Sequence, residues 1–183
     1  MRFKKSSRTP SDSRYTYSMI IIGIDPGYDR LGVAVIEKSS SKKPTVKGKE
    51  ILIFSDCITT SAKSSIYERF KYIGAQICAT LDKYKPDALA IETLFITKNQ
   101  KTAMRVSEVR GIIIYEALKR DITVSEYSPM EIKMAITSDG TSDKSRMMKM
   151  IPLLIEMKSP ATLDDEYDAI AVALTHSAQV RPN

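Results

Sequence analysis

The sequence has few of the residues that build thiolate or imidazole sites. Its 183 residues include two cysteines, one histidine and no tryptophan. Cys57 and Cys78 are too few and too far apart for a metal knuckle or a disulfide framework, so we expect buried free thiols. No Ser–His or Cys–His constellation accompanies the acidic residues, which argues against a covalent intermediate.

Long apolar runs are also missing. No stretch approaches the roughly 18 apolar residues that cross a bilayer, and the N-terminus lacks the apolar segment of a secretory signal. With so few cysteines, these absences favour a protein of the reducing cytoplasm.

The positive charge is unevenly distributed. The net charge is +6, and +4 of it lies in residues 1–18, which are rich in serine and have no hydrophobic period. We expect this segment to be a disordered basic tail. It could contact nucleic acid, act as a targeting peptide or lie upstream of a true start at Met19, and we favour the last. Residues 19–179 are then one folded domain.

The remaining chain alternates between strand and helix patterns. Apolar runs rich in β-branched residues predict five strands, the first two of which form a hairpin around "PGYDR". Capping boxes at Ser65–Glu68 and Ser128–Glu131 predict two helix starts. Further helices are predicted over "NQKTAMRVSEVRGIIIYEALKR", 144–157 with a kink at Pro152, and 164–179. The pattern indicates an α/β fold with a mixed five-stranded sheet and helices on both faces.

Four carboxylates occupy the ends of buried elements. Asp25 ends the first strand and Glu92 ends the fourth, while Asp165 and Asp168 are three residues apart on one face of the last helix. Each acid alone could be a helix cap or a solvated strand end. Together they suit Mg²⁺ or Mn²⁺, and two such ions roughly 4 Å apart can clamp the water and the leaving oxygen of a phosphodiester. His176, eight residues after Asp168, is too far along the helix to join them and is expected to be structural.

Five motifs in order resemble the RuvC family of Holliday-junction resolvases. They are "GIDPG", "AIETLFITKN", "RVSEVRG", "DKSRM" and "DEYDAIAVALTH". The resemblance implies a ribonuclease-H-like fold in which Asp25, Glu92, Asp165 and Asp168 hold two divalent ions. It also implies a homodimer that nicks two opposed strands of a four-way DNA junction, together with a branch-migration helicase complex.

The same resemblance implies DNA contacts for Phe95, Lys133 and Lys144, and Lys98 is predicted as a fourth DNA-binding residue. Phe95 would lie near the junction centre, with Lys98 beyond it in a polar segment, and Lys133 and Lys144 would serve the acids and the DNA phosphates. An exposed ring can stack on an unpaired base, and an ammonium at a helix start can meet a phosphate. The alternatives are that Phe95 packs on the sheet and that Lys133 is a solvated charge.

Three other interpretations stay open on sequence alone. YqgF-type putative resolvases share the fold and the "DRLGVAV" pattern but lack the "FITKN" segment. An actin-like ATPase also begins with a "GID.G" hairpin, but it needs a later glycine-rich loop, and this chain has 7 glycines. A non-catalytic module that binds branched DNA would normally have lost one of the acids.

The long helix from about 101 to 118 is the predicted dimer interface. Its apolar and small residues are Ala103, Val106, Val109, Ile113 and Ala117. Gly111 lies inside this helix, where glycine costs about 1 kcal/mol relative to alanine, and predicts close packing.

Overall fold

The computed structural model describes residues 18–39, 50–94 and 100–180. Within these ranges the strands are β1 (Ser18–Asp25), β2 (Arg30–Ser39), β3 (Glu50–Thr59), β4 (Ala88–Glu92), β5 (Thr123–Tyr127) and β6 (Ile155–Glu156). The helices are α1 (Ile66–Tyr84), α2 (Gln100–Leu118), α3 (Pro129–Thr137), α4 (Lys144–Leu154) and α5 (Asp164–Gln179).

The strands form one mixed sheet in the order β5-β4-β1-β2-β3-β6. The pairs β1–β2 and β2–β3 are antiparallel, whereas β1–β4 and β4–β5 are parallel. Because β1 and β4 are parallel neighbours, their carboxyl ends reach the same end of the sheet. The topology therefore brings Asp25 and Glu92 side by side.

Helices cover both faces of the sheet, as predicted. Side chains of α1 and α2 pack with one face around Ile22, Ile24 and Leu89, while α3, α4 and α5 pack on the other around Ile21 and Ala34. The isoleucine run of β1 supplies both cores because alternate side chains of a strand point to opposite faces. Among the described helices, none is long and apolar enough to cross a membrane.

One strand and one helix end differ from the sequence prediction. The helix predicted over 144–157 ends at Leu154, and Ile155 and Glu156 form a sixth strand parallel to β3. Pro152 lies in the last turn of α4, where it cannot donate a hydrogen bond to the Met148 carbonyl and so weakens that turn. Ile155 is instead extended and buried in the core. Both predicted capping boxes are present.

The packing of α2 corrects two predictions. Val109, Ile113 and Ala117 are buried in the protein's own core, so they are not available to a partner subunit. A Cβ added at Gly111 would meet nothing within 4 Å, so this glycine has no close neighbour among the described residues. Of the two cysteines, Cys57 is buried but Cys78 is half-buried, and both thiols are free.

Candidate active site

Helix α5 lies directly on the β1–β2 hairpin. The approach is close because Gly23 and Gly32 have no side chains: a Cβ at Gly23 would overlap the Ala169 carbonyl oxygen, and one at Gly32 would overlap that of Asp165. Gly32 is also the residue paired with Asp25 across the hairpin. The two glycines therefore place the start of α5 over the end of β1.

In this arrangement the four predicted carboxylates are close enough to affect one another's charge state. The Asp25 carboxyl group shares a hydrogen bond with Glu92, and the negative charges of Asp168 and Asp165 raise its pKa. Burial, followed by the charge of Glu92, raises the pKa of Asp25 to about 8. Burial also raises the pKa of Glu92, although the hydrogen bond with Asp25 opposes the rise. The charges of Arg110 and Lys133 lower the pKa of Glu92, but they offset the effect of burial only in part.

Two cations partly neutralise the other pair of acids. Arg30 forms an ion pair with Asp165, and the Lys144 ammonium lies 2.8 Å from Asp168 Oδ2 and 3.5 Å from Asp164 Oδ2. Burial lowers the pKa of Lys144, but the contacts with Asp168 and Asp164 outweigh this effect and raise it. Burial raises the pKa of Asp168, against the influence of Lys144.

These ion pairs bear on metal binding. Across 18–39, 50–94 and 100–180, no group of three or more His, Cys, Asp or Glu side chains is arranged to hold a metal ion as it stands. Arg30 and Lys144 occupy oxygens of Asp165 and Asp168 that a metal ion would need. The donor set nevertheless fits a hard divalent cation, because it consists of carboxylate oxygens with a net negative charge.

Both predicted lysines line one cleft beside the acids. The cleft has a volume of about 210 Å³ and is lined by Glu92, Pro129, Ile132, Lys133, Lys144, Met147 and Asp168. The charge of Lys133 also lowers the pKa of Glu92. Lys144 is the first residue of α4, whose N-cap Asp143 accepts a hydrogen bond from Arg146 N. The cleft thus combines two acids, two ammonium groups and a helix start.

Three supporting residues were missed at the sequence level. Arg30 reaches Asp165, and Arg110 donates to the backbone oxygen of Glu92 and to Glu126 Oε2. Glu166 is buried and accepts hydrogen bonds from Ser55 Oγ at 2.5 Å and from Leu163 N at 3.1 Å. The sequence signal for Arg30 was its position at the end of the hairpin turn. Glu166 resembled its acidic neighbours and gave no separate signal.

Other predicted residues lie away from the site or outside the described chain. His176 is buried in the core, and its Nδ1 is 2.8 Å from the Tyr127 hydroxyl, in keeping with a structural role. Phe95 and Lys98 fall outside the described residues.

Comparison with known proteins gives consistent matches. The family model described as crossover junction endodeoxyribonuclease RuvC matches residues 21–176. The crossover junction endodeoxyribonuclease RuvC of Thermosipho melanesiensis is 40% identical over 163 residues, covering 89% of this chain and 99% of that protein. The relative from Brachyspira hyodysenteriae is also 40% identical, over 89% of this chain and 96% of its own length.

Solved structures of the same kind also match. Thermus thermophilus RuvC in complex with a Holliday junction substrate superimposes with a TM-score of 0.77 at 28% identity. The alignment covers 87% of this chain and 93% of that one. The yeast mitochondrial Holliday junction resolvase, with a TM-score of 0.62 at 15% identity, shares the fold.

Proposed function

The chain belongs to the RuvC family of crossover junction endodeoxyribonucleases, and from this premise we propose that it resolves four-way DNA junctions by paired nicks in opposed strands. The observation that carries the proposal is the convergence of four carboxylates at one end of the sheet. Asp25 and Glu92 come from parallel strands, and Asp165 and Asp168 come from the helix packed over them. In this proposal the enzyme acts in the cytoplasm with a branch-migration helicase complex.

We propose Asp25, Glu92, Asp165 and Asp168 as the ligands of two Mg²⁺ ions, with Mn²⁺ able to substitute. Bound divalent ions would supply an activated water and charge stabilisation at the leaving oxygen of a phosphodiester. The support is the buried acid pair of Asp25 and Glu92, whose pKa values stay raised although Arg110 and Lys133 lower that of Glu92. Arg30 and Lys144 must then release Asp165 and Asp168, which frees both cations to bind DNA phosphates.

The proposed role of the cleft lysines follows from their positions. Lys133 and Lys144 face Glu92 and Asp168 across a space of about 210 Å³, so a phosphate entering it would meet two ammonium groups. The amide groups at the start of α4 add positive potential there. These residues orient the phosphodiester beside the acids and offset its charge. Phe95 and Lys98 lie outside the described residues and remain proposed DNA contacts, with Phe95 near the junction centre.

A cleavage assay tests this function directly. The protein is incubated with Mg²⁺ and end-labelled four-way junctions, linear duplexes or RNA–DNA hybrids. We expect symmetric nicks in the junction alone, and none in the presence of a chelator. Cleavage of the hybrid in preference to the junction would overturn the proposal.

We also propose that the protein acts as a homodimer, because two opposed nicks call for two sites related by two-fold symmetry. The exposed face of α2 is the candidate interface, in place of the buried residues named from the sequence. Met104, Tyr115 and Leu118 are 66%, 61% and 57% exposed, and Gly111 lies on the same face. Together with Glu108 these residues follow a four-three spacing that is typical of paired helices.

Replacing Tyr115 with Asp should separate the subunits. A charge at the centre of a helix pair would be partly desolvated, and loss of a central aromatic anchor costs at least about 2 kcal/mol, or roughly 30-fold in the dimer dissociation constant. Light scattering at micromolar concentration should show a dimer for the parent and a monomer for Tyr115→Asp. Tyr67 on α1 is also highly exposed, and Tyr67→Asp should remain dimeric. A monomeric parent, both free and bound to DNA, would contradict the assembly.

A further inference from the structure

A second basic pocket lies beside the candidate active site. Its volume is about 350 Å³, and its lining includes Tyr28 from the β1–β2 turn, Arg69 from α1, and Lys101 and Arg105 from α2. Tyr28 follows Asp25 by three residues, so the pocket opens at the same end of the sheet as the acids. It shares no lining residue with the cleft that contains Lys133 and Lys144.

The Arg69 side chain lines this pocket, and one of its hydrogen-bond donors has no acceptor among the described residues. It is only 9% exposed, it pairs with Asp29, and its guanidinium lies 5.6 Å from the centroid of the Tyr28 ring. Its buried Nε finds no hydrogen-bond acceptor among the described residues. A buried donor without an acceptor is costly, and buried polar groups in native proteins are almost always paired. The pocket wall therefore carries a guanidinium that has one donor unpaired among the described residues, and its positive charge favours an anion in the pocket.

The start of α2 adds further positive charge to the pocket. Lys101 and Arg105 lie in its first two turns, and the first turn has no acidic residue. Positive side chains at a helix N-terminus are unfavourable unless an anion is bound there, because the helix dipole is positive at that end. The charge of Arg105 is partly offset by Glu108, which is 2.9 Å away and three residues further along α2. The described acids near the pocket, Asp29 and Glu108, thus pair with Arg69 and Arg105 and leave Lys101 uncompensated.

We propose that this pocket binds one backbone phosphate of the junction at a position away from the phosphate that is cut. The inference rests on the proposed function. A junction seated on the acids extends over the same end of the protein, and phosphate oxygens accept hydrogen bonds from guanidinium groups, ammonium groups and helix N-termini. Such a contact positions the DNA and carries no base information.

Junction affinity and its salt dependence test the pocket. The variants are Lys101→Gln and Arg105→Gln, with Lys158→Gln as the matched control, because Lys158 is an exposed lysine just after β6, at the other edge of the sheet. In chelator, each pocket variant should bind the junction about 3- to 10-fold more weakly. The slope of log K against log salt should become less steep by about one. At saturating protein with Mg²⁺, the single-turnover nicking rate should stay within about twofold of the parent, because the contact binds ground and transition states equally.

A methylphosphonate scan identifies the contact itself. Neutral methylphosphonates are placed one at a time along the junction strands, and affinity is measured for the parent and for Lys101→Gln. One position away from the nick should weaken the parent and have no further effect on the variant. If both pocket variants keep the parental affinity and salt slope while the parent still nicks junctions, the pocket proposal is wrong and the nuclease assignment stands. If the parent fails to bind junctions at all, the proposed function itself has failed.

Discussion

Asp25→Asn is expected to abolish junction nicking while leaving junction binding largely intact. Asp25 is at the centre of the acid cluster, hydrogen-bonded to Glu92 and close to the charges of Asp165 and Asp168. Removing its charge removes a ligand for the proposed ions without touching Lys133 or Lys144. We expect the nicking rate to fall by at least about 10³-fold, as when a central electrostatic group is lost from an active site. Glu92→Gln, Asp165→Asn and Asp168→Asn should behave similarly.

The same substitution should stabilise the metal-free protein at neutral pH. The folded-state pKa of Asp25, about 8, lies well above the ordinary value of 3.8 for an aspartate, so folding takes up a proton at pH values between the two. Stability contributed by this group is therefore complete below about pH 4 and is lost as the pH rises towards 8. Asn carries no charge at any pH and avoids this loss. In chelator at pH 7, thermal unfolding of Asp25→Asn should occur several degrees above that of the parent.

Asp164→Asn is the matched control for both measurements. Asp164 precedes Asp165 on α5, but its side chain is 61% exposed and lies 3.5 Å from Lys144 at the edge of the cleft. Its loss should reduce nicking less than about threefold, since exposed ion pairs contribute little. Parental nicking by Asp25→Asn would show that the carboxylate cluster is not the catalytic centre.

The sequence predicted where the four acids lie in the fold, because their positions at the ends of strands and on one helix face follow from local rules. A carboxylate after an apolar strand lies at an end of the sheet, and two acids three residues apart share a helix face, whatever the details of packing. The order of strands and helices could also be predicted from the sequence. Its signals are local, namely the capping boxes at Ser65 and Ser128 and the isoleucine pattern of β1.

What could not be predicted depends on tertiary packing. Periodicity identified an apolar face on α2 but could not say that Val109 and Ile113 belong to the subunit's own core, while Met104 and Tyr115 remain exposed. Pairing of Arg30 with Asp165 joins residues far apart in the sequence. The strand at Ile155 and Glu156 is only two residues long and exists because β3 offers it a free edge.

The geometry of the acid cluster depends most directly on Gly32. In the β1–β2 register Gly32 lies opposite Asp25, and the backbone oxygen of Asp165 rests where a Cβ of residue 32 would be. The Ala169 methyl would be 3.2 Å from the same Cβ. One missing side chain therefore sets the separation between an acid on the sheet and the two acids on α5.

Gly32→Ala should consequently impair nicking far more than a single methyl group suggests. The added carbon meets backbone, which cannot rotate away, so the start of α5 must shift from the hairpin and carry Asp165 and Asp168 with it. A displacement of about 1 Å in an active site can cost about 100-fold in rate, and overpacking costs about 1–3 kcal/mol of stability. We expect single-turnover nicking to fall about 100-fold at a temperature where both proteins are folded, with junction affinity changed only a few-fold. Gly74→Ala is the control, because among the described residues its Cβ would meet only the Ile112 Cγ2 methyl, at an ordinary 3.5 Å, in the middle of α1. It should nick at the parental rate and unfold at the same or a higher temperature. Parental nicking and stability in Gly32→Ala would show that the distance between α5 and the hairpin does not control the site.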